Sequence, residues 1–377
     1  MMAPHAEENR YSYFLLTLVI LLVCFGLIMV YSASHHIAMQ EHNGDGAFYF
    51  KKHFIRVTAG MVALLIGALV PYRFWLRLSK VILLLSIGLL VAVLVGGVAV
   101  GHAQRWLPIG GFRFQPVDFA RLGLIIYLSD ALVRKQDYLD DWKVGLLPQL
   151  LVVGLMSALV LRQPDMGSTV MLILIAGILF ITGGVRLRHL ALVGVLALPL
   201  SLFLKPYHMQ RIQTYVNTVF HGMPMSYQVK QSMISLGHGG ILGVGLDNSV
   251  QKLRFLPEPY TDFIFAIIGE EFGFLGSVAV LTLFLLLVIE GFRIARRCRE
   301  PGGALLATGI TASIALYAFI NAGVVVDLLP TKGLPMPFIS YGGSFMISTL
   351  AGVGILLNIS QHREFNPSRA RMFADEE

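Results

Sequence analysis

Charge is scarce in this chain. Only 14% of its 377 residues are Asp, Glu, Lys or Arg, where soluble domains carry about 25%. That excludes an ordinary water-soluble enzyme, and apolar runs of bilayer length recur from end to end. Cysteine is nearly absent as well. Cys24 lies inside an apolar run and Cys298 inside an arginine cluster, which excludes a disulfide framework or a thiolate metal centre. A nucleotide-binding loop is missing. The glycines Gly237, Gly239, Gly240, Gly243 and Gly245 are not followed by GK[ST], and no strand–turn–helix context surrounds them. No polar stretch is long enough for a soluble domain, so any chemistry belongs at a membrane surface.

What is present is an all-α polytopic membrane protein. Ten spans are expected at 13–34, 53–70, 81–101, 117–134, 144–161, 168–184, 189–204, 263–292, 303–326 and 343–360. The first apolar run is too long for a signal-peptide core and lacks a small-residue cleavage site, so it is expected to remain as an anchor. Residues 1–12 and 363–377 read as short polar tails flanking a membrane domain over 13–362. One long loop, 205–262, joins spans seven and eight. Over half of the 29 Lys and Arg residues fall on the side that holds both tails. The positive-inside rule then puts both termini in the cytoplasm and the long loop outside. Loop bias of this kind accounts for the formal charge of +7, and nucleic acid is not an expected partner.

The chain reads as organised around LPEPYTDFIFAIIGEEFGFLG, Leu256 to Gly276. Two prolines break the backbone, Thr261 and Asp262 suit the opening of a helix, and an apolar run follows. A carboxylate at that edge is costly unless it is solvated, paired or used. The expectation is use, with Asp262 as the general base in chemistry on a lipid-linked sugar. In GEEFG, Glu270 is about 80° round a helix from Asp262, so it either shares a cavity with Asp262 or pairs with a neighbouring cation. Glu271 has the same second option.

Other blocks carry two readings each. Asp118 and Arg121 share a helix face, either as a buried ion pair or as substrate contacts. In RQPDMGS, Asp165 either satisfies turn amides or helps bind a cation or sugar. The outer loop is basic through Lys205, Arg211, Lys230, Lys252 and Arg254, which suits an anionic lipid headgroup. LLPTKGLPMPFISYGGS, Leu328 to Ser344, has too much Pro and Gly for regular helix. Irregular backbone at membrane depth must be buried in protein or line a cavity, which points to a cavity near Lys332, Ser340 and Tyr341.

Taken together, QPDMGS, LPEPYTDFIFAIIGEEFGFLG and LPTKGLPMPFISYGGS resemble the SEDS family, named for shape, elongation, division and sporulation. The resemblance runs from Phe25 to His362, and the wording is nearer to FtsW-type than to RodA-type members. Asp118 and Arg121 stand where the family often has Glu and Lys. The resemblance implies a peptidoglycan glycosyltransferase of the bacterial cytoplasmic membrane. It would polymerise lipid II for septal synthesis, with elongation or sporulation as sister roles. It implies Asp262 as the catalytic residue. It also implies a class B penicillin-binding protein as transpeptidase partner, among other divisome membrane proteins.

Inverting attack on a sugar pyrophosphate needs a base and a cationic clamp, since pyrophosphate leaves without protonation. Arg105, Arg211, Lys252 and Lys332 are the expected clamp, with Mg²⁺ or Mn²⁺ as a possible helper and no metal ligand assigned. The rival reading is a lipid II flippase. It requires a polar path across the membrane, whereas Asp118, Arg121, Asp165, Asp262 and Lys332 crowd the outer half.

Overall fold

A computed structural model describes residues 12–100, 103–109, 112–138, 141–186, 188–189, 225–253, 255–330 and 333–361. In chain order the helices are α1 (Tyr13–Glu41), α2 (Phe48–Leu69), α3 (Tyr72–Arg77), α4 (Ser79–Gly96), α5 (Pro116–Arg134), α6 (Leu147–Arg162), α7 (Met166–Thr182), α8 (Tyr227–Gly239), α9 (Ile264–Arg297), α10 (Pro301–Val325) and α11 (Ser344–Ser360). Six helical stretches are long and apolar enough to cross a membrane, and α7 and α11 are shorter apolar helices. Every expected span except one falls on a helix. The exception, 189–204, lies almost wholly outside the described residues, as does much of the long loop.

Helix starts follow local chemistry. Ser12 caps α1 by accepting from the Leu15 amide, and Asp165 caps α7 through the Ser168 amide. Pro116 and Pro301 open α5 and α10, where a missing amide hydrogen has no cost. The third span was expected to reach residue 101. Its helix stops at Gly96, and a three-stranded antiparallel sheet follows: β1 (Val98–Val100), β2 (Ala103–Ile109) and β3 (Phe112–Phe114). Gly96 and Gly97 weaken the helix there, and the next residues alternate rather than repeat every three or four.

The ends of the bundle are fixed by buried polar contacts. The Ser12 amide donates to Ser360 Oγ at 3.0 Å, and Ser12 Oγ donates to Glu290 Oε1 at 2.9 Å. The start of α1, the end of α11 and the last third of α9 therefore share one end. Glycine lets α2 and α11 approach closely: a Cβ on Gly67 would lie 2.7 Å from Ala351 O.

The eighth span departs most from expectation. It was expected as a single span over 263–292. Instead α9 is broken at Gly273 (φ 68°, ψ −165°), and residues 264–271 are buried in protein. The break exchanges hydrogen bonds with the glycine-rich loop. Val244 and Gly245 amides donate to the carbonyls of Glu270 and Glu271, while Phe274 and Leu275 amides donate to the carbonyls of Gly240 and Ile241. The glycines that fit no nucleotide-loop pattern have another use. They supply close approach: backbone of 269–273 fills the space where side chains on Gly239 and Gly243 would sit.

The segment before α11 is irregular and buried, with Leu334, Met336, Phe338, Ile339 and Ser340 all at most 2% exposed. It packs on α1, where a Cβ at Gly26 would lie 2.7 Å from the Ile339 Cα and nearer still to the Phe338 carbonyl. On the α9 side, Phe338 stacks on Phe284 at 6.3 Å. Gly26→Val is expected to lower stability by about 1–3 kcal/mol through overpacking, read as a lower thermal midpoint in detergent. An unchanged midpoint would show that the segment does not seat against α1.

Candidate active site

Asp262 sits in the turn just before α9, half-buried. Its main chain is held from three directions. The Tyr341 amide donates to Tyr260 O at 2.8 Å, Ser340 Oγ donates to Thr261 O at 2.6 Å, and Asn321 Nδ2 donates to Asp262 O at 2.7 Å. Three consecutive carbonyls thus have donors from α10 and the irregular segment. Asn321 also donates to Leu334 O at 2.7 Å, so one amide group ties the two chain segments together. The Asp262 carboxylate leans on Gly333, where a Cβ would lie 2.6 Å from Oδ2. A side chain at 333 would displace it.

Ser340 and Tyr341 therefore hold the Asp262 turn through hydrogen bonds. Ser340 Oγ also accepts from the Met336 amide at 2.8 Å, so its hydroxyl is engaged on both sides. The Tyr341 ring joins Tyr49 and Tyr260 in an aromatic cluster, with centroids 4.8–5.7 Å apart. The Arg56 guanidinium lies 4.6 Å from the Tyr341 ring centre. The turn that carries Asp262 thus has an aromatic wall beside it, with Arg56 over Tyr341 and Glu41 accepting from Tyr49 Oη at 2.8 Å. Arg56 and Asn321 were missed in the sequence. The signals were Lys52 and Arg56 one helical turn apart on α2, and a lone Asn in an apolar span.

The expected cationic clamp is redistributed. Arg211 and Lys332 lie outside the described residues. Arg105 closes the α6–α7 turn: it donates to the carbonyls of Gln163 and Pro164, with Nε 3.9 Å from Asp165 Oδ2. Asp165 accepts from the Ser168 amide at 3.0 Å and the Ser168 hydroxyl at 2.9 Å, which is turn-capping geometry. Lys252 is 3% exposed. Its ammonium lies 3.1 Å from Glu271 Oε1 and also donates to Ser32 Oγ and Asp247. A cation so placed holds the loop to α1 and α9, away from any incoming phosphate.

The acidic pair Glu270 and Glu271 divides its partners. Glu270 is 0% exposed. It accepts from Ser235 Oγ at 2.9 Å, from Ser249 Oγ and from the Val250 amide at 3.0 Å, with His238 Nδ1 2.9 Å away. These partners fasten α8 and the 249–251 loop to α9. None of them belongs to the set that holds Asp262, so the shared-cavity option is not the arrangement found. Asp118 and Arg121 form no direct ion pair among the described residues. Ser344 Oγ donates to Asp118 at 2.7 Å, and Arg121 donates to Ser348 and Thr349 while stacking 4.6 Å from Tyr317 and Phe345. Both reach α11 and seat its start beside the irregular segment.

This architecture defines a multi-pass membrane protein that presents one fixed carboxylate at an end of its bundle. Residues 12–365 match the cell cycle protein family of FtsW, RodA and SpoVE, and the chain belongs to that family. A probable peptidoglycan glycosyltransferase FtsW of Geobacter sulfurreducens is 39% identical over 359 residues, covering 94% of this chain and 96% of the relative. The stage V sporulation protein E of Bacillus subtilis is 36% identical, covering 93% and 97%. Among solved structures, a chain of a peptidoglycan synthase complex that coordinates polymerization and crosslinking matches with a TM-score of 0.76 at 26% identity. That match covers 94% of this chain and 99% of that one. The rod shape determining protein RodA of Thermus thermophilus matches with a TM-score of 0.68 at 26% identity, covering 94% and 98%.

Two substitutions separate holding from clamping. Lys252→Met leaves Glu271 buried without its cation and is expected to cost about 3–5 kcal/mol. Adding Glu271→Gln should recover part of that loss, measured by thermal unfolding. A Lys252 that held phosphate would instead lose activity at unchanged stability. Asn321→Leu removes the donor to two carbonyls, each orphan costing about 1–3 kcal/mol. Turnover is expected to fall on the order of tenfold or more, with substrate binding less affected. Unchanged turnover would remove Asn321 from the positioning set.

Proposed function

We propose that this protein is a peptidoglycan glycosyltransferase that polymerises lipid II, with Asp262 as general base. The observation that carries the proposal is the immobilised Asp262 turn, whose three carbonyls are held while its carboxylate lies against Gly333. The acceptor sugar hydroxyl gives its proton to the Asp262 carboxylate as its oxygen attacks the donor's anomeric carbon. A new C–O bond forms with inversion, the bond to pyrophosphate breaks, and the leaving group departs as an anion. Arg56, stacked on Tyr341, and Arg113, on β3, offset its charge in this reading. Arg211 and Lys332 remain proposed members of the same clamp.

Among the described residues no group of three or more His, Cys, Asp or Glu could cage a metal ion. Mg²⁺ is commonly held by one or two carboxylates together with substrate phosphates, so a Mg²⁺ or Mn²⁺ helper in this reading comes with the pyrophosphate. The relatives carry the biological setting. A family that includes division, elongation and sporulation members fits a bacterial cytoplasmic membrane location. The relative named FtsW favours septal synthesis. The start of α1 and the end of α11 fall at one end of the bundle, since Ser12 and Ser360 bond there. With the positive-inside bias, that supports N-in and C-in termini and an outward-facing Asp262. By analogy with the solved synthase complex, the partner is a crosslinking transpeptidase of the class B penicillin-binding type, alongside other divisome membrane proteins.

The test is purified protein given lipid II, with and without that partner. Wild type is expected to make glycan chains, and Asp262→Asn to lose on the order of a hundredfold or more in rate. Equal polymerisation by the variant would overturn the base assignment. Leaflet transfer of lipid II in vesicles, without polymerisation by either form, would replace the transferase by a flippase.

A further inference from the structure

A cavity of about 580 Å³ opens at the far end of the bundle from Asp262. It lies where the last turns of α5, α7 and α9 meet the start of α10, with Leu132, Thr182, Phe292, Ala304 and Leu305 among its walls. Those walls are largely apolar. The surface around it is apolar too: Ile181 is 53% exposed, Ile289 44% and Phe292 37%. In a membrane protein such faces meet hydrocarbon.

Arg296 completes the lining. Its neighbours at this end are committed elsewhere: Arg73 to Glu300, Arg134 to Asp130 and Arg293 to Glu290. Arg296 is exposed and has no acidic or hydrogen-bonding partner among the described residues. A guanidinium at the mouth of an apolar, lipid-facing cavity matches a phosphate headgroup with an acyl chain behind it. We propose that this cavity binds an anionic phospholipid, with one acyl chain between α5, α7, α9 and α10 and the phosphate on Arg296. Such a lipid binds only the folded bundle and so stabilises it. The site uses none of the residues assigned to lipid II chemistry and stands whether or not that assignment does.

The experiment is thermal unfolding and native mass spectrometry of the full chain, delipidated in a neutral detergent. Phosphatidylglycerol, phosphatidylcholine and inorganic phosphate are added in separate arms. Phosphatidylglycerol is expected to raise the unfolding midpoint and to remain bound, and the other two are not. Arg296→Gln should weaken phosphatidylglycerol retention on the order of tenfold, the weight of one charge-assisted contact. Ala304→Phe, which fills the cavity, should weaken it at least as much. Arg296 is on the exposed rim, so its variant decides the question even if Ala304→Phe unfolds. Equal retention of phosphatidylcholine, equal protection by inorganic phosphate, or undiminished retention by Arg296→Gln would each overturn the proposal.

Discussion

The structure depends on the binding of three adjacent carbonyls, those of Tyr260, Thr261 and Asp262, by donors from α10 and the irregular segment before α11. A carboxylate on a surface turn is otherwise free to wander. General base catalysis needs it within hydrogen-bond reach of one hydroxyl. Rigid elements achieve that better than loops. Here the loop borrows rigidity, because Asn321 belongs to a long buried helix and Ser340 to a segment packed between α1 and α9.

The break in α9 extends the same logic. A helix running unbroken from Ile264 to Arg297 would have left the loop before it with no edge to bond. At Gly273 two carbonyls and two amides are released, and the 240–245 loop takes them up. Glu270 and Glu271 then fasten that loop through Ser235, Ser249, Lys252 and Ser32. Burying two acids is costly unless each has partners. The cost is offset because a loop that carries no hydrophobic core of its own becomes part of the bundle. The start of α9, and Asp262 with it, is thereby tied to α1 and α8 as well as to α10.

Much of this was legible in the sequence. Long apolar runs report spans directly, since hydrocarbon admits only self-satisfied backbone, and Pro- and Gly-rich stretches between them mark irregular segments. What the runs do not report is which polar group meets which. Lys252 and Arg105 look like clamp residues because they are basic and lie in outer loops, yet a buried acid captures one and two turn carbonyls capture the other. Asp118 and Arg121 look like a pair because they are three residues apart. Both instead find hydroxyls on α11, from residues more than 200 positions away. The small sheet after α4 was hidden because two of its three strands have only three residues, and the apolar run of the third span was read through the first of them.

The number of carboxylates follows from the leaving group. Hydrolysing a glycosidic bond takes two, because an alkoxide must be protonated as it departs. Pyrophosphate needs no proton, only positive charge near its oxygens. A second acid beside Asp262 would work against that, repelling the leaving group and raising the proton affinity of its neighbour. Three other acids of the chain have partners of their own: Glu270 in hydroxyls and amides, Glu271 in a lysine, Asp165 in a helix cap. The aromatic wall beside the Asp262 turn carries Arg56 over the Tyr341 ring and Glu41, which accepts from Tyr49 Oη at 2.8 Å. Transfer from a sugar pyrophosphate asks for one base and positive charge near the leaving oxygens, where a glycoside hydrolase needs a second carboxyl group.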